Sequence, residues 1–188
     1  YIQILGEKGF QKLIKKGDLY LKQRGFRGLY IFGITWDETY LEKSSSLGVD
    51  SLTSYVSLPN FHGKPLQTYD DLVKERLNEW SLLDKKSTVP FYPSVSPGWD
   101  GSPRGLFHPE IIKEHLSSFP WTPIVTNMDP YKFGQFALEA RKFIKDRHMI
   151  LSFFTSWNEW SEGHNLEPDT KYGYGFLEEI RKLKEKFP

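Results

Sequence analysis

Between Ser156 and Asp169 the chain places four carboxylates (Glu159, Glu162, Glu167 and Asp169), two amides (Asn158 and Asn165), His164 and two tryptophans (Trp157 and Trp160). A connecting segment in an α/β protein is usually about two to six residues of small polar types. Nothing about folding calls for two Trp beside two Glu on such a segment. Work on a glycosidic bond does. Breaking an acetal needs an acid on the leaving oxygen and a second group managing charge at the anomeric side, usually a pair of carboxylates. An indole offers a flat apolar face with a polar N–H edge, suited to the C–H face and hydroxyl rim of a sugar. A neighbouring Trp would also desolvate a carboxyl and raise its pKa, as a general acid near neutrality requires. Glu159 and Glu162 are therefore the candidate catalytic pair, and Trp157, Asn158, Trp160, His164 and Glu167 the candidate sugar contacts. The plain alternative makes the two Glu solvated loop charges and the two Trp core residues.

A second polar cluster runs from Ser94 through Ser96, Gly98, Trp99, Asp100 and Ser102 to Arg104. Trp99, Asp100 and Arg104 join the candidate substrate contacts, although a plain Pro/Gly turn explains this composition equally well. Thr35-Trp36-Asp37-Glu38 forms a third, weaker cluster, whose acids read better as helix N-terminal residues. Tyr55 either lines a pocket or merely packs. His108 and His115 lack a carboxylate companion at metal-ligand spacing, so no metal site is expected. No Gly-rich phosphate cradle with a Lys-Ser/Thr partner occurs, and no Asp-x-Asp pair. The reading requires no cofactor.

These residues must be held by a scaffold. The chain has 188 residues, 25 basic and 24 acidic, so its formal net charge is only +1. That balance argues against a nucleic-acid partner, which needs a clustered basic surplus. The apolar runs are too short to span a membrane. The absence of Cys excludes a disulfide framework and leaves the compartment open. Helical periodicity predicts a helix over 8–24 stopped by Gly25. It predicts another opened by Thr68, with the stripe Tyr69, Leu72, Val73, Leu77, Trp80 and Leu83. A short helix follows from Pro109, a longer one is capped by Asp129-Pro130, and a last one starts near Tyr174. Strands are predicted at 28–34, 51–56, 88–95 and 149–155, the first apolar on both faces and the last the best in the chain. Weaker ones fall at 1–5 and 124–126. Strands alternating with helices mean an α/β fold with a parallel sheet, whose chemistry sits past the strands' C-terminal ends. No linker or internal repeat divides the chain, so residues 1–188 are expected to form one α/β domain.

Pro93-Ser94-Val95-Ser96-Pro97-Gly98-Trp99-Asp100 and Thr155-Ser156-Trp157-Asn158-Glu159-Trp160-Ser161-Glu162-Gly163 resemble the two signature segments of glycoside hydrolase family 99. They are still more similar to its bacterial relatives, the WbsX-like proteins of polysaccharide gene clusters, as are Leu166-Glu167-Pro168-Asp169 and Tyr172-Gly173-Tyr174. The similarity covers about Gly25 to Phe176. It implies a (β/α)8 barrel of the TIM type and retaining cleavage of an internal α-mannosidic bond, without metal, through a 1,2-anhydro sugar. Carried over by position, Glu159 deprotonates the sugar 2-hydroxyl, and Glu162 protonates the leaving oxygen and later activates water. Two positions follow the WbsX-like branch rather than the hydrolases: Ser161 stands where they carry His, and Trp99 where they carry Tyr.

A complete barrel of this type takes about 250 residues, rarely fewer than roughly 200. The chain is thus expected to be the C-terminal part of a barrel, with early strands lying outside it. The leading reading is a glycosidase acting on an oligosaccharide or polysaccharide. A WbsX-like glycosyltransferase of surface-polysaccharide (O-antigen) assembly is the second, and a non-catalytic sugar-binding module the third. Oligomeric state and localisation stay open.

Overall fold

The computed structural model describes residues 2–34, 38–107 and 121–186. The third polar cluster at 35–37, His108, His115 and the helix expected from Pro109 lie outside the described residues. The chain divides into two compact units, Tyr1–Ser54 with Ser81–Tyr92, and Tyr55–Trp80 with Pro93–Pro188.

In the first unit, helix α1 (Ile2–Lys22) precedes strand β1 (Phe32–Ile34), helix α2 (Glu38–Lys43) and strand β2 (Ser51–Thr53). Residues 2–5 of the weak strand expected at 1–5 are helical instead. Ile4 is 82% exposed, and no strand among the described residues pairs with it. A lone strand would leave its backbone groups unpaired, whereas a helix closes them internally. Gly25 ends the segment at φ +83°, the left-handed conformation expected of a helix stop. Helix α3 (Tyr69–Lys86) lends its last turns to this unit, followed by strand β4 (Phe91–Tyr92). The sheet order is β1-β2-β4, all parallel, with Leu52 opposite both Gly33 and Phe91. The strand expected over 28–34 keeps only three residues and is not buried on both faces, with Leu29 and Tyr30 exposed. Its early N–H groups are taken by carboxylates rather than by a ladder. Leu29 N–H binds Asp18 at 3.0 Å, and Ile31 N–H binds Asp50 at 2.6 Å.

The second unit pairs strand β3 (Leu66–Thr68) with β6 (Ile124–Thr126), and β5 (Ser94–Val95) with β7 (Phe153–Phe154), both in parallel. Thr68 caps α3 as expected: its hydroxyl lies 2.7 Å from the Asp71 carboxylate and accepts the Asp71 N–H. Tyr69, Leu72 and Trp80 of the predicted stripe are buried, and Trp80 stacks on Phe136 at 5.1 Å. Asp129 caps helix α4 (Pro130–Asp146) by accepting the Lys132 N–H at 2.8 Å, with Pro130 in the first turn. Helix α4 buries Phe133, Phe136, Ala137, Ala140 and Ile144. It meets helix α5 (Gly175–Lys186) through an edge-to-face contact of Phe133 with Phe176 at 5.4 Å.

The strand expected over 51–56 keeps only Ser51–Thr53, and two further predicted strands shrink for identifiable reasons. The one over 88–95 splits into β4 and β5 on either side of Pro93, which has no N–H to give a ladder. The one over 149–155 keeps only Phe153 and Phe154. Its first residues are used to end α4: His148 adopts φ +56°, and Met149 N–H bonds back to the Ile144 carbonyl at 2.8 Å. Ile150 is left 82% exposed. Strand β3 was not foreseen, because three residues of mixed character beside Pro65 carry no period-2 signal. No described helix is long and apolar enough to cross a membrane.

Candidate active site

Every candidate site residue lies in the second unit. Strand β7 delivers the chain to Thr155, whose N–H binds the Val95 carbonyl of β5 at 2.9 Å. The following loop closes on itself: Ser156 N–H donates to the His164 carbonyl, and Leu166 N–H to the Ser156 and Trp157 carbonyls, each at 3.0 Å. Between these ties a short 3-10 turn, Trp160–Glu162, ends at Gly163 in the left-handed conformation. A Cβ at Gly163 would stand 2.8 Å from the Asp100 Cβ and 3.0 Å from its N, so only glycine allows this approach. The approach is what lets Asp100 N–H bind the Glu162 carbonyl at 2.7 Å. The two signature segments are thereby tied backbone to backbone.

Below this loop lies a buried hydroxyl cluster. Thr155 Oγ1 is 3.0 Å from both Ser94 Oγ and Ser96 Oγ, and Ser96 Oγ accepts the Ser57 N–H. Ser57 donates to the Ser94 carbonyl at 2.6 Å, and the Tyr69 phenol to the Ser96 carbonyl at 2.7 Å. Burial, with the carboxylates of Asp129 and Asp70, pushes the Tyr69 pKa well up and keeps it a donor. The sequence marks Tyr69 only as a residue of a helix stripe and Thr155 only as the start of a signature segment, and gives Ser57 no role. The i, i+2 spacing of Ser94 and Ser96, which puts both on one strand face, was the available signal.

Glu162 is the centre of the polar arrangement. One oxygen accepts from the Arg104 guanidinium and the other lies 2.7 Å from Nε2 of His164. Burial pushes its pKa up, but the hydrogen bonds from His164 and Arg104, with the charge of Arg104, outweigh this and hold the carboxyl below the ordinary glutamate range. The expectation of a carboxyl raised by neighbouring Trp is thus reversed for Glu162. Its hydrogen-bond partners are an imidazole and a cation, not the indoles of Trp157 and Trp160.

His164 and Trp99 also differ from expectation. His164 has no exposed surface and Trp99 only 3%, and their rings stack at 5.6 Å and 13°. Phe61 meets Trp99 edge-on at 5.7 Å. Neither ring offers a face to solvent here, so both support Glu162 from beneath. Trp157 and Trp160, by contrast, are 55% and 47% exposed. Trp160 is oriented by Glu167, which accepts its indole N–H at 2.5 Å. Asn158 is exposed, and Glu159, three residues before Glu162, is half-buried with its carbonyl accepting the Glu162 N–H. The Asp100 carboxylate accepts the Ser102 N–H. Tyr55 is exposed and not joined to this cluster by any hydrogen bond or ring contact among the described residues. No group of three or more His, Cys, Asp or Glu suited to a metal ion occurs among the described residues.

Beside the loop, Asp100, Thr126, Asn127, Lys132, Asn165 and Tyr172 border an open cleft of about 670 Å³. One tight loop, tied to the first signature segment, thus carries two glutamates of unlike environment alongside two exposed indoles.

Among solved structures, one described as a glycoside hydrolase-like protein matches with a TM-score of 0.58 at 16% identity, over 95% of this chain and 49% of that chain. The GH99 endo-α-mannosidase from Bacteroides thetaiotaomicron matches with a TM-score of 0.48 at 17% identity, over 86% of this chain and 46% of that one. The fold is α/β of the (β/α)8-barrel type, and the chain spans about half the length of each of these structures. Among curated proteins, the uncharacterized protein WxcX of Xanthomonas campestris pv. campestris is 28% identical over 133 residues, 69% of this chain and 16% of that protein. Its counterpart in strain B100 is 31% identical over 97 residues, 52% of this chain and 12% of that protein. The family model described as glycosyltransferase WbsX matches residues 21–180, most of the chain and both signature segments. The chain belongs to the WbsX glycosyltransferase family.

Proposed function

We propose that this chain carries the reacting centre of a carbohydrate-active enzyme that cleaves a glycosidic bond with retention of configuration. The observation that supports it best is the pairing of Glu159 and Glu162 on one short turn past β7, flanked by the exposed Trp157 and Trp160. Glu159 takes the proton of the sugar 2-hydroxyl, and that oxygen attacks the anomeric carbon as the C1–O bond breaks. Glu162 gives a proton to the departing oxygen. Water then opens the 1,2-anhydro sugar at C1, losing its proton to Glu162, while O2, released from C1, recovers one from Glu159. Two displacements at one carbon restore the starting configuration. Trp157 and Trp160 are the platforms for the sugar faces, with Asn158 and Glu167 beside them, and Asp100 and Arg104 complete the wall around Glu162. Oligosaccharide or polysaccharide is the substrate.

The family description favours a second reading, in which an acceptor hydroxyl takes the place of water and the same centre transfers a glycosyl group. One experiment separates the two. The chain is incubated with defined α-linked oligosaccharides, with and without acceptor glycans, and the anomer first released is read by NMR. A free sugar of retained configuration supports hydrolysis, and an elongated acceptor supports transfer. Glu162→Gln and Glu159→Gln should each lose at least about 10²-fold in rate, with oligosaccharide binding still measurable by calorimetry. An unchanged rate in either variant refutes the role given to that residue, and normal turnover of a 2-deoxy substrate refutes the anhydro-sugar route.

A further inference from the structure

The two oxygens of Glu162 face unlike partners. Oε2 lies 2.7 Å from Nε2 of a His164 ring that has no exposed surface and is stacked on the buried Trp99. The backbone around this ring is pinned by the Ser156 N–H on the His164 carbonyl and the His164 N–H on the Glu159 carbonyl. Nδ1 of His164 has no hydrogen-bond partner among the described residues. A neutral ring protonated at Nε2 suits these surroundings: it donates to the carboxylate and leaves Nδ1 a bare lone pair. A doubly protonated ring would bury an N–H without an acceptor, the costlier arrangement.

Oε1 meets Arg104 instead, whose side chain is 32% exposed and sits on the 3-10 turn Ser102–Phe107. A guanidinium does not give up its proton, so Arg104 can free Oε1 only by moving. His164 cannot move without unpacking Trp99. Among the described residues, charged groups close to this turn include Asp100, engaged with the Ser102 N–H, Glu159, which precedes the turn, and Glu167, engaged with the Trp160 indole. Asp129, Lys132 and Lys171 border the adjoining cleft.

We propose that His164 is the fixed and Arg104 the displaceable positioning residue of Glu162: His164, as a neutral Nε2–H donor, holds Oε2, and the proton that Glu162 exchanges with a sugar is carried on Oε1 once Arg104 has withdrawn. This rests on the reading of Glu162 as the acid and base of the site. When Arg104 withdraws, Oε1 takes up a proton from solvent water, and a leaving oxygen entering there receives that proton together with the electron pair of the breaking C1–O bond. The carboxylate so formed is the species that Arg104 re-engages.

The test is NMR on the 188-residue chain, carrying 13C at the glutamate carboxyls and 15N in the histidine rings. The Glu162 signal is identified by its loss in Glu162→Gln. In the wild type at pH 7, His164 should show the neutral tautomer protonated at Nε2, and Glu162 should titrate below the ordinary glutamate range. Arg104→Met should shift the Glu162 midpoint upward and Arg104→Lys should restore most of it, because Lys keeps the charge. Arg104 is partly exposed, so both variants should fold, and the tautomer needs no variant at all. An Nδ1-protonated or doubly protonated His164, or an Arg104→Met midpoint equal to that of the wild type, overturns the proposal. The functional reading fails separately: a chain that titrates in this way but neither cleaves nor transfers any glycan keeps the division of Oε1 and Oε2 and loses the enzymatic role.

Discussion

Replacing Gly163 by Ala tests whether the two signature segments are held together as described. Two costs are expected. The left-handed conformation at φ +61° disfavours an L side chain by about 1–2 kcal/mol. In addition, the new Cβ would lie 2.8 Å from the Asp100 Cβ, 3.0 Å from its N and 3.1 Å from its O, and the last two are backbone atoms that cannot rotate away. Moving Asp100 stretches the 2.7 Å bond from its N–H to the Glu162 carbonyl and disturbs the 2.8 Å bond from Val125 N–H to the neighbouring Trp99 carbonyl. Overpacking of this kind costs about 1–3 kcal/mol. The sum is about 2–5 kcal/mol. Gly25→Ala is the internal control, since Gly25 has φ +83° and nothing within 4 Å of its ideal Cβ position. It should show only the conformational part, about 1–2 kcal/mol. Urea denaturation followed by tryptophan fluorescence measures both, with an unchanged slope required before midpoints are compared. Gly163→Asn should recover part of the conformational cost, because Asn tolerates the left-handed region, and none of the steric cost. A Gly163→Ala variant no less stable than Gly25→Ala refutes the steric reasoning.

Glu162→Gln provides a pH test of the same loop. Because the folded site holds Glu162 below its unfolded value, its ionisation stabilises the wild type fully above the unfolded value of about 4.3, and this advantage fades as pH falls through the folded value. The stability difference between wild type and Glu162→Gln should therefore shrink on acidification. A difference that grows contradicts the direction of the shift. Thr155→Val removes the hydroxyl shared by Ser94 and Ser96 while keeping the shape, and should cost about 1–2 kcal/mol in thermal or urea unfolding. A neutral result means that the buried hydroxyls find other partners.

What the amino-acid order determined by itself is local. Asp129-Pro130 opens a helix, Thr68 caps another and Gly25 stops a third, because each rests on hydrogen bonds or dihedrals within a few residues. The apolar stripe of α3 and the three-residue spacing of Glu159 and Glu162 were legible for the same reason, and so were the motifs that identify the family. Tertiary structure decided the lengths of the strands, since a strand ends where its N–H groups find other acceptors, as at Asp18, Asp50 and the end of α4. It also decided the surroundings of Glu162. Arg104 reaches that carboxylate from 58 residues away, and Trp99 folds beneath His164 rather than toward solvent. The proton affinity of a carboxyl depends on the charges and donors within a few ångströms in space, and sequence separation carries no record of those distances.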